Sequence, residues 1–314
     1  MCFFKVDGVV KIGLFNRLII LFFGCCLIAS QGSSALAESK TIHLSKPQVM
    51  ASYRSRPVAL KNGGRLMLVS PREWFWLAEK LSIQLQKAHA HYTKLFGPIP
   101  PVETTLKLID AGVFYRETGA PSWTNALYYK GVMSIPLNFE EPVDMDELFR
   151  SVSHEYTHAV INALSAGRTP GWLDEGLAQE AEGDVNPALE PSLKKWLFFN
   201  APISLDLLQG GFTKLENRMV APAYGQSLYA ARVVVNTFGF ENLRSYFDNL
   251  RAGKPKPEAF RAAFGISEAG FEEAFGKYVK RWAYGGNNKV EVVKHSPSDV
   301  KRKNSDPIRG ELGR

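Results

Sequence analysis

Cysteine is almost missing from this chain of 314 residues: Cys2, Cys25 and Cys26 are the only three, all near the start. From residue 27 onward the chain can therefore hold no disulfide framework, no thiolate metal site and no cysteine nucleophile. Long apolar runs are lacking too. The stretch Leu18 to Ala29 is too short to cross a bilayer comfortably. Charge of one sign is modest, with a formal net of +7. Neither aromatic interleaving nor a known nucleic-acid motif accompanies the basic residues, so nucleic acid is not an expected partner. No internal repeat of fixed period is present.

The amino terminus has the organisation of an export signal. Lys5, Lys11 and Arg17 precede the apolar run, and Ala35-Leu36-Ala37 gives a small-x-small cleavage site before Glu38. Residues 1–37 are thus expected to be a signal peptide, with an uncleaved membrane anchor as the alternative. The expected location is the bacterial periplasm or exterior, with no stable membrane span after cleavage. The segment carries Lys5, Lys11 and Arg17 against Asp7, so +5 of the net charge stays with the mature chain. What remains is long enough for one large domain or two lobes sharing a core. Residues 286–314, polar and containing Lys301-Arg302-Lys303, read as a disordered basic tail.

The chemistry concentrates in His154-Glu155-Tyr156-Thr157-His158. On an α-helix, residues four apart stand one turn above each other, so His154 and His158 can offer ring nitrogens to one zinc ion. Glu155, offset round the helix, is placed to take a proton from an attacking water. The helix itself is signalled by Leu148, Val152, Tyr156, Ala159 and Val160 at helical spacing, with Asp144 or Asp146 as N-cap. A three-ligand zinc site needs one more donor from a separate element. A metzincin would need a glycine and a third histidine where this chain has Ile161 and Leu164, so that pattern is excluded.

Downstream lies Pro170-Gly171-Trp172-Leu173-Asp174-Glu175-Gly176-Leu177-Ala178. H-E-x-x-H followed by W-L-x-E-G-x-A resembles the gluzincin metallopeptidases, most closely the peptidase MA-like group. The resemblance implies that Glu175 is the third zinc ligand. It implies an α+β zincin (thermolysin-like) fold, with a small mixed sheet before the metal helix and a mostly helical C-terminal lobe. The expected organisation is an N-terminal α/β lobe over 38–165 and a helical lobe over 166–285. The activity it implies is peptide-bond hydrolysis on a peptide or protein substrate, with Zn2+ as cofactor and Glu155 as general base. The alternative is an exported peptide- or envelope-protein-binding module that keeps the fold without cutting. The gap from His158 to Glu175 is short, so the connecting loop must be tight, which Gly167, Pro170 and Gly171 allow.

Ala223-Tyr224-Gly225-Gln226-Ser227-Leu228-Tyr229 resembles the Y-x-x-S helix that follows the ligands in that group. It makes Tyr224 the first candidate for steadying the oxyanion and Tyr229 the reserve; the same spacing also suits a core tyrosine. Asp174, Gln179 and Glu180 are the candidates for orienting the imidazoles. A G-A-M-E-N-type aminopeptidase motif is not visible. Strands are expected at Arg65–Val69, Thr104–Ile109, Asn125–Tyr129 and 131–136. The stretch Val132–Leu137 is the candidate wall against which an extended substrate would pair. Helices are expected at 71–96, 192–199, 203–208, 221–238, 241–252, 256–264 and 267–283.

Overall fold

The computed structural model describes residues 9–11, 41–47, 53–121, 124–182, 186–212, 215–285 and 291–293. The expected signal and tail fall outside these, apart from Val9–Lys11, which pairs antiparallel with Glu291–Val293. No helix among the described residues is long and apolar enough to cross a membrane.

The class is α+β. Five strands form one mixed sheet: β1 (Tyr53–Ala59), β2 (Arg65–Pro71), β3 (Glu103–Asp110), β4 (Leu127–Tyr129) and β5 (Val132–Leu137), in spatial order β1-β2-β3-β5-β4. The three central strands run parallel, and the two edges are antiparallel to their neighbours. Period-two alternation places Leu66, Leu68, Leu106, Leu108, Met133 and Ile135 in the core. Lys130 (φ 48°) and Gly131 (φ 82°) make the two-residue turn of the β4–β5 hairpin, both in the left-handed region that such turns require. Edge strand β1 escapes sequence reading because six of its seven residues are exposed, leaving no apolar alternation to detect.

Helix α1 (Phe75–Phe96) and helix α3 (Met145–Ser165) pack with this sheet into one core, while the short α2 (Ala111–Thr118) is capped by Asp110 and buries only Phe114. Beyond α3 the chain is helical: α4 (Gly171–Glu182), α5 (Leu189–Phe199), α6 (Asn217–Arg251), α7 (Lys256–Phe264) and α8 (Glu268–Ala283). Gly239, at φ 79° and ψ 169°, breaks α6 where the sequence divides it into two expected segments.

The expected helix at 203–208 is instead a pair of turns. Its backbone donors are claimed by side chains from neighbouring helices: the Ile203 N–H donates to Gln226 Oε1 (2.8 Å) and the Leu205 N–H to Glu272 Oε1 (2.9 Å). The Leu208 and Gln209 carbonyls in turn accept from the first N–H groups of α4, Trp172 (2.7 Å) and Gly171 (2.9 Å). That loop thereby satisfies donors which a helix start leaves unpaired.

Candidate metal centre

Helix α3 starts at Asp144, whose side chain accepts from the Asp146 and Glu147 N–H groups. Its apolar stripe, including Val152, Tyr156 and Val160, is fully buried. The two residues between Glu155 and His158 anchor it to α1. The Tyr156 hydroxyl pairs with His89 Nδ1 at 2.8 Å, and His89 Nε2 lies 3.1 Å from the Lys61 carbonyl. The Thr157 hydroxyl donates to the Ser153 carbonyl (2.8 Å) and lies 2.5 Å from the Tyr92 hydroxyl, which therefore donates to it. With these contacts on one side, His154, Glu155 and His158 line the cleft on the other.

The chain leaves α3 through Ala166 (φ 54°) and Gly167 (φ 70°), and α4 begins at Gly171, so the connection is as tight as the spacing requires. Helix α4 then delivers Glu175. Its Oε2 lies 3.6 Å from His154 Nε2 and 3.8 Å from His158 Nε2, and one donor atom from each of the three residues falls within 4.8 Å of the others. Glu175 Oε2 is buried and accepts no hydrogen bond. A buried, unpaired carboxylate oxygen facing two imidazole nitrogens is the environment that a divalent cation satisfies, and the two-nitrogen, one-oxygen set suits zinc. The residues fit the ion.

The other nitrogen of each imidazole faces a second carboxylate. His158 Nδ1 is 3.0 Å from Asp174 Oδ1, and His154 Nδ1 contacts Glu182 Oε1. Both are ion-pair contacts rather than aligned hydrogen bonds. Burial alone would lower the histidine pKa values. The acids outweigh it, holding His158 up to about 9 through Asp174 and Glu175, and His154 well above its ordinary value through Glu175 and Glu182. Glu175 is lowered on balance, its burial outweighed by the two histidines.

Of the orienting candidates, Asp174 meets His158. Glu180 does not reach the site: it is tied to Arg232 Nε at 2.5 Å. Gln179 is buried in the cleft wall. Glu182, which sequence reading missed, lies seven residues after Glu175, two turns along the same helical face. That spacing was the available signal.

Glu155 is buried, and its carboxylate pKa is raised chiefly by that burial, against the pull of both histidines and of the Tyr128 backbone N–H that donates to it. Tyr128 belongs to β4. This corrects the expectation for Val132–Leu137: that strand lies between β3 and β4, with both edges paired, so it cannot accept another strand. Among the described residues the free edge on the cleft is β4, which lies within the expected strand Asn125–Tyr129. The cleft measures about 920 Å³ and is walled on its far side by Leu189, Phe212, Val220 and Ala221.

Tyr224 stands in this cleft with its ring edge-on to Phe212 (5.0 Å between centroids). Burial raises its hydroxyl pKa, reinforced by the charges of Glu175, Glu155 and Glu182. Tyr229 points elsewhere. Its hydroxyl donates to Glu190 Oε2 (3.0 Å) and its ring packs on Trp282 at 4.2 Å.

With this geometry in hand, a family model described as the Peptidase MA superfamily matches residues 102–281, more than half of the chain. The chain belongs to the Peptidase MA superfamily. No curated protein matches it by sequence. Among solved structures it is similar to an M1 zinc metallopeptidase from Deinococcus radiodurans, at 16% identity and TM-score 0.41, over 78% of this chain and 53% of that one. It is also similar to Legionella pneumophila aminopeptidase A in complex with aspartic acid, at 15% identity and TM-score 0.48, over 72% of this chain and 28% of that one. The chain spans about half or less of the length of these proteins.

In this member of the Peptidase MA superfamily, the W-L-D-E-G segment is explained by packing. Trp172 is fully buried, stacks on Phe271 (5.6 Å) and donates from Nε1 to Glu268 Oε1 (3.1 Å), which fixes the start of α4 on α8. A Cβ at Gly176 would lie 2.1 Å from the Ser227 carbonyl oxygen of α6. Only glycine lets the two helices approach closely enough to hold Glu175 under α3.

Proposed function

We propose that the chain is an exported zinc metallopeptidase that hydrolyses peptide bonds with Glu155 as general base. The observation that carries this reading is the convergence of His154, His158 and Glu175 within 4.8 Å at a cleft that Glu155 also lines. A zinc ion held by these three would lower the pKa of a water and polarise the scissile carbonyl. Glu155, made more basic by its burial, takes the proton from the attacking water and delivers it to the leaving amine. The Tyr224 hydroxyl, kept protonated, donates to the oxyanion as it develops. Asp174 and Glu182 hold the imidazoles with Nε2 towards the ion. The free edge of β4 offers backbone groups to an extended peptide, and the apolar wall of Leu189, Phe212, Val220 and Ala221 suits an apolar substrate side chain.

The test is Glu155→Gln. Bound zinc should stay at the wild-type level while casein hydrolysis falls by roughly 10³-fold; undiminished turnover would defeat the mechanism. Wild-type protein that binds zinc and cuts neither casein nor unstructured peptides would instead be a binding module. Export rests on residues 1–37, and alkaline phosphatase fused after residue 45 should be active; an inactive, cytosolic fusion would remove that part of the reading.

A further inference from the structure

Away from the cleft, the ends of α5 and α8 form a surface that the peptidase reading does not use. Phe198, Phe199 and Tyr284 are 65%, 75% and 60% exposed. Their rings form one cluster, with Phe198 at 4.8 Å from Phe199 and 6.3 Å from Tyr284. The cluster is held in place. The Tyr284 hydroxyl donates to the Leu197 carbonyl (3.1 Å) and Trp196 Nε1 to the Ala201 carbonyl (2.9 Å), so the aromatic rings project from a fixed base.

Each exposed ring has a lysine one turn before it: Lys194 before Phe198, Lys195 before Phe199 and Lys280 before Tyr284. Lys194 lies over the Trp282 ring at 4.9 Å and pairs with Glu190. Lys195 and Lys280 are exposed and form no ion pair among the described residues. Further back on the same two helices, Glu190 is engaged by Lys194 and Tyr229, and Glu273 by Lys277. In sequence, residues 286–314 follow directly with seven Lys and Arg against four Asp and Glu, adding positive charge.

We propose that this end of the molecule docks on the surface of an anionic phospholipid bilayer, the rings entering the interface and the lysines pairing with headgroup phosphates. Aromatic rings with a lysine beside each match the two layers of such a surface, apolar below and anionic above. A second copy of the chain is a poorer fit, because a two-fold contact would set these lysines against each other. The first turn of α5 lines the cleft through Leu189 while its last turn carries the patch, ten residues further on. The patch is thus about 15 Å from the cleft along α5.

The experiment is co-sedimentation of the full chain with vesicles of equal parts phosphatidylglycerol and phosphatidylcholine, beside vesicles of phosphatidylcholine alone. The amino-terminal apolar run is common to all variants, so differences between them report on the patch. Wild type should sediment with the anionic vesicles and far less with the neutral ones. The pairs Phe198→Ser with Phe199→Ser, and Lys195→Glu with Lys280→Glu, should each cut the bound fraction by about 10-fold at unchanged melting temperature. Binding equal to wild type in both variants, or equal binding to both lipids, would overturn the proposal. So would a wild type that ignores vesicles but forms a dimer which the phenylalanine pair dissolves. Melting temperature and sedimentation need no turnover, so the result stands apart from the peptidase reading.

Discussion

The sheet lobe and the helical lobe contribute to one site by different means. The sheet lobe supplies His154, Glu155 and His158 from five consecutive residues of a single helix, so their spacing is fixed by helix geometry alone. The helical lobe supplies Asp174, Glu175, Glu182 and Tyr224 from two helices, α4 and α6, and their placement depends on how closely those helices pack. The sheet side should tolerate loss of a supporting contact. The helical side should lose the site when its packing is disturbed.

Gly176→Val tests the fragile half and should have the largest effect. Its side chain cannot fit 2.1 Å from the Ser227 carbonyl, so α4 must move off α6 and carry Glu175 with it. The expected outcome is a loss of roughly 3 kcal/mol or more in stability, together with loss of bound zinc, read by thermal melting and metal analysis. A variant that melts normally and keeps its metal would mean that the α4–α6 approach is not what sets the ligand.

Glu182→Ala asks whether the contact to His154 matters as much as that from Asp174 to His158. Zinc affinity should fall 10- to 100-fold in either alanine variant, measured by competition with a chelator. Wild-type affinity in Glu182→Ala alone would leave His154 oriented by something else.

On the sheet side, His89→Phe removes the partner of the buried Tyr156 hydroxyl. It should cost about 1–3 kcal/mol in denaturant unfolding while zinc content stays at the wild-type level. Metal loss comparable to that in Gly176→Val would erase the contrast between the lobes.

The smallest expected effect is one of pH on the metal-free protein. His158 is held up to about 9, against 6.5 for an ordinary histidine, because Asp174 and Glu175 outweigh its burial. A pKa raised in the folded state gives stability that is complete below the unfolded value and is lost as pH climbs through the folded one. The metal-free melting temperature should thus fall between about pH 6.5 and 9. With zinc bound, His158 is already deprotonated and this decline should be absent. A flat metal-free profile would show that the histidine is not charged in the fold.

The same contrast explains what could be read from the sequence. His154, Glu155 and His158 are legible because their spacing is local, and the buried stripe of α3 announces the helix around them. Glu175 is legible only through its likeness to a family pattern, since no local rule brings α4 under α3. Asp174 is legible as its neighbour, whereas Glu182 is not, because its contact with His154 is made two turns further along α4. The strands β2, β3, β4 and β5 all fall on expected strand segments, whereas exposed β1 carries too few apolar positions to show. The substrate edge is misplaced on Val132–Leu137 for a different reason: which strand lies outermost depends on topology, not on composition.

The most direct test is the metal content of purified wild type beside His158→Ala, with casein hydrolysis followed in the same samples. About one zinc per chain, lost in the variant together with hydrolysis, is the expected result for a three-ligand catalytic site. A wild type without zinc, or a variant that keeps both metal and activity, would contradict the assignment of His154, His158 and Glu175 as one catalytic centre.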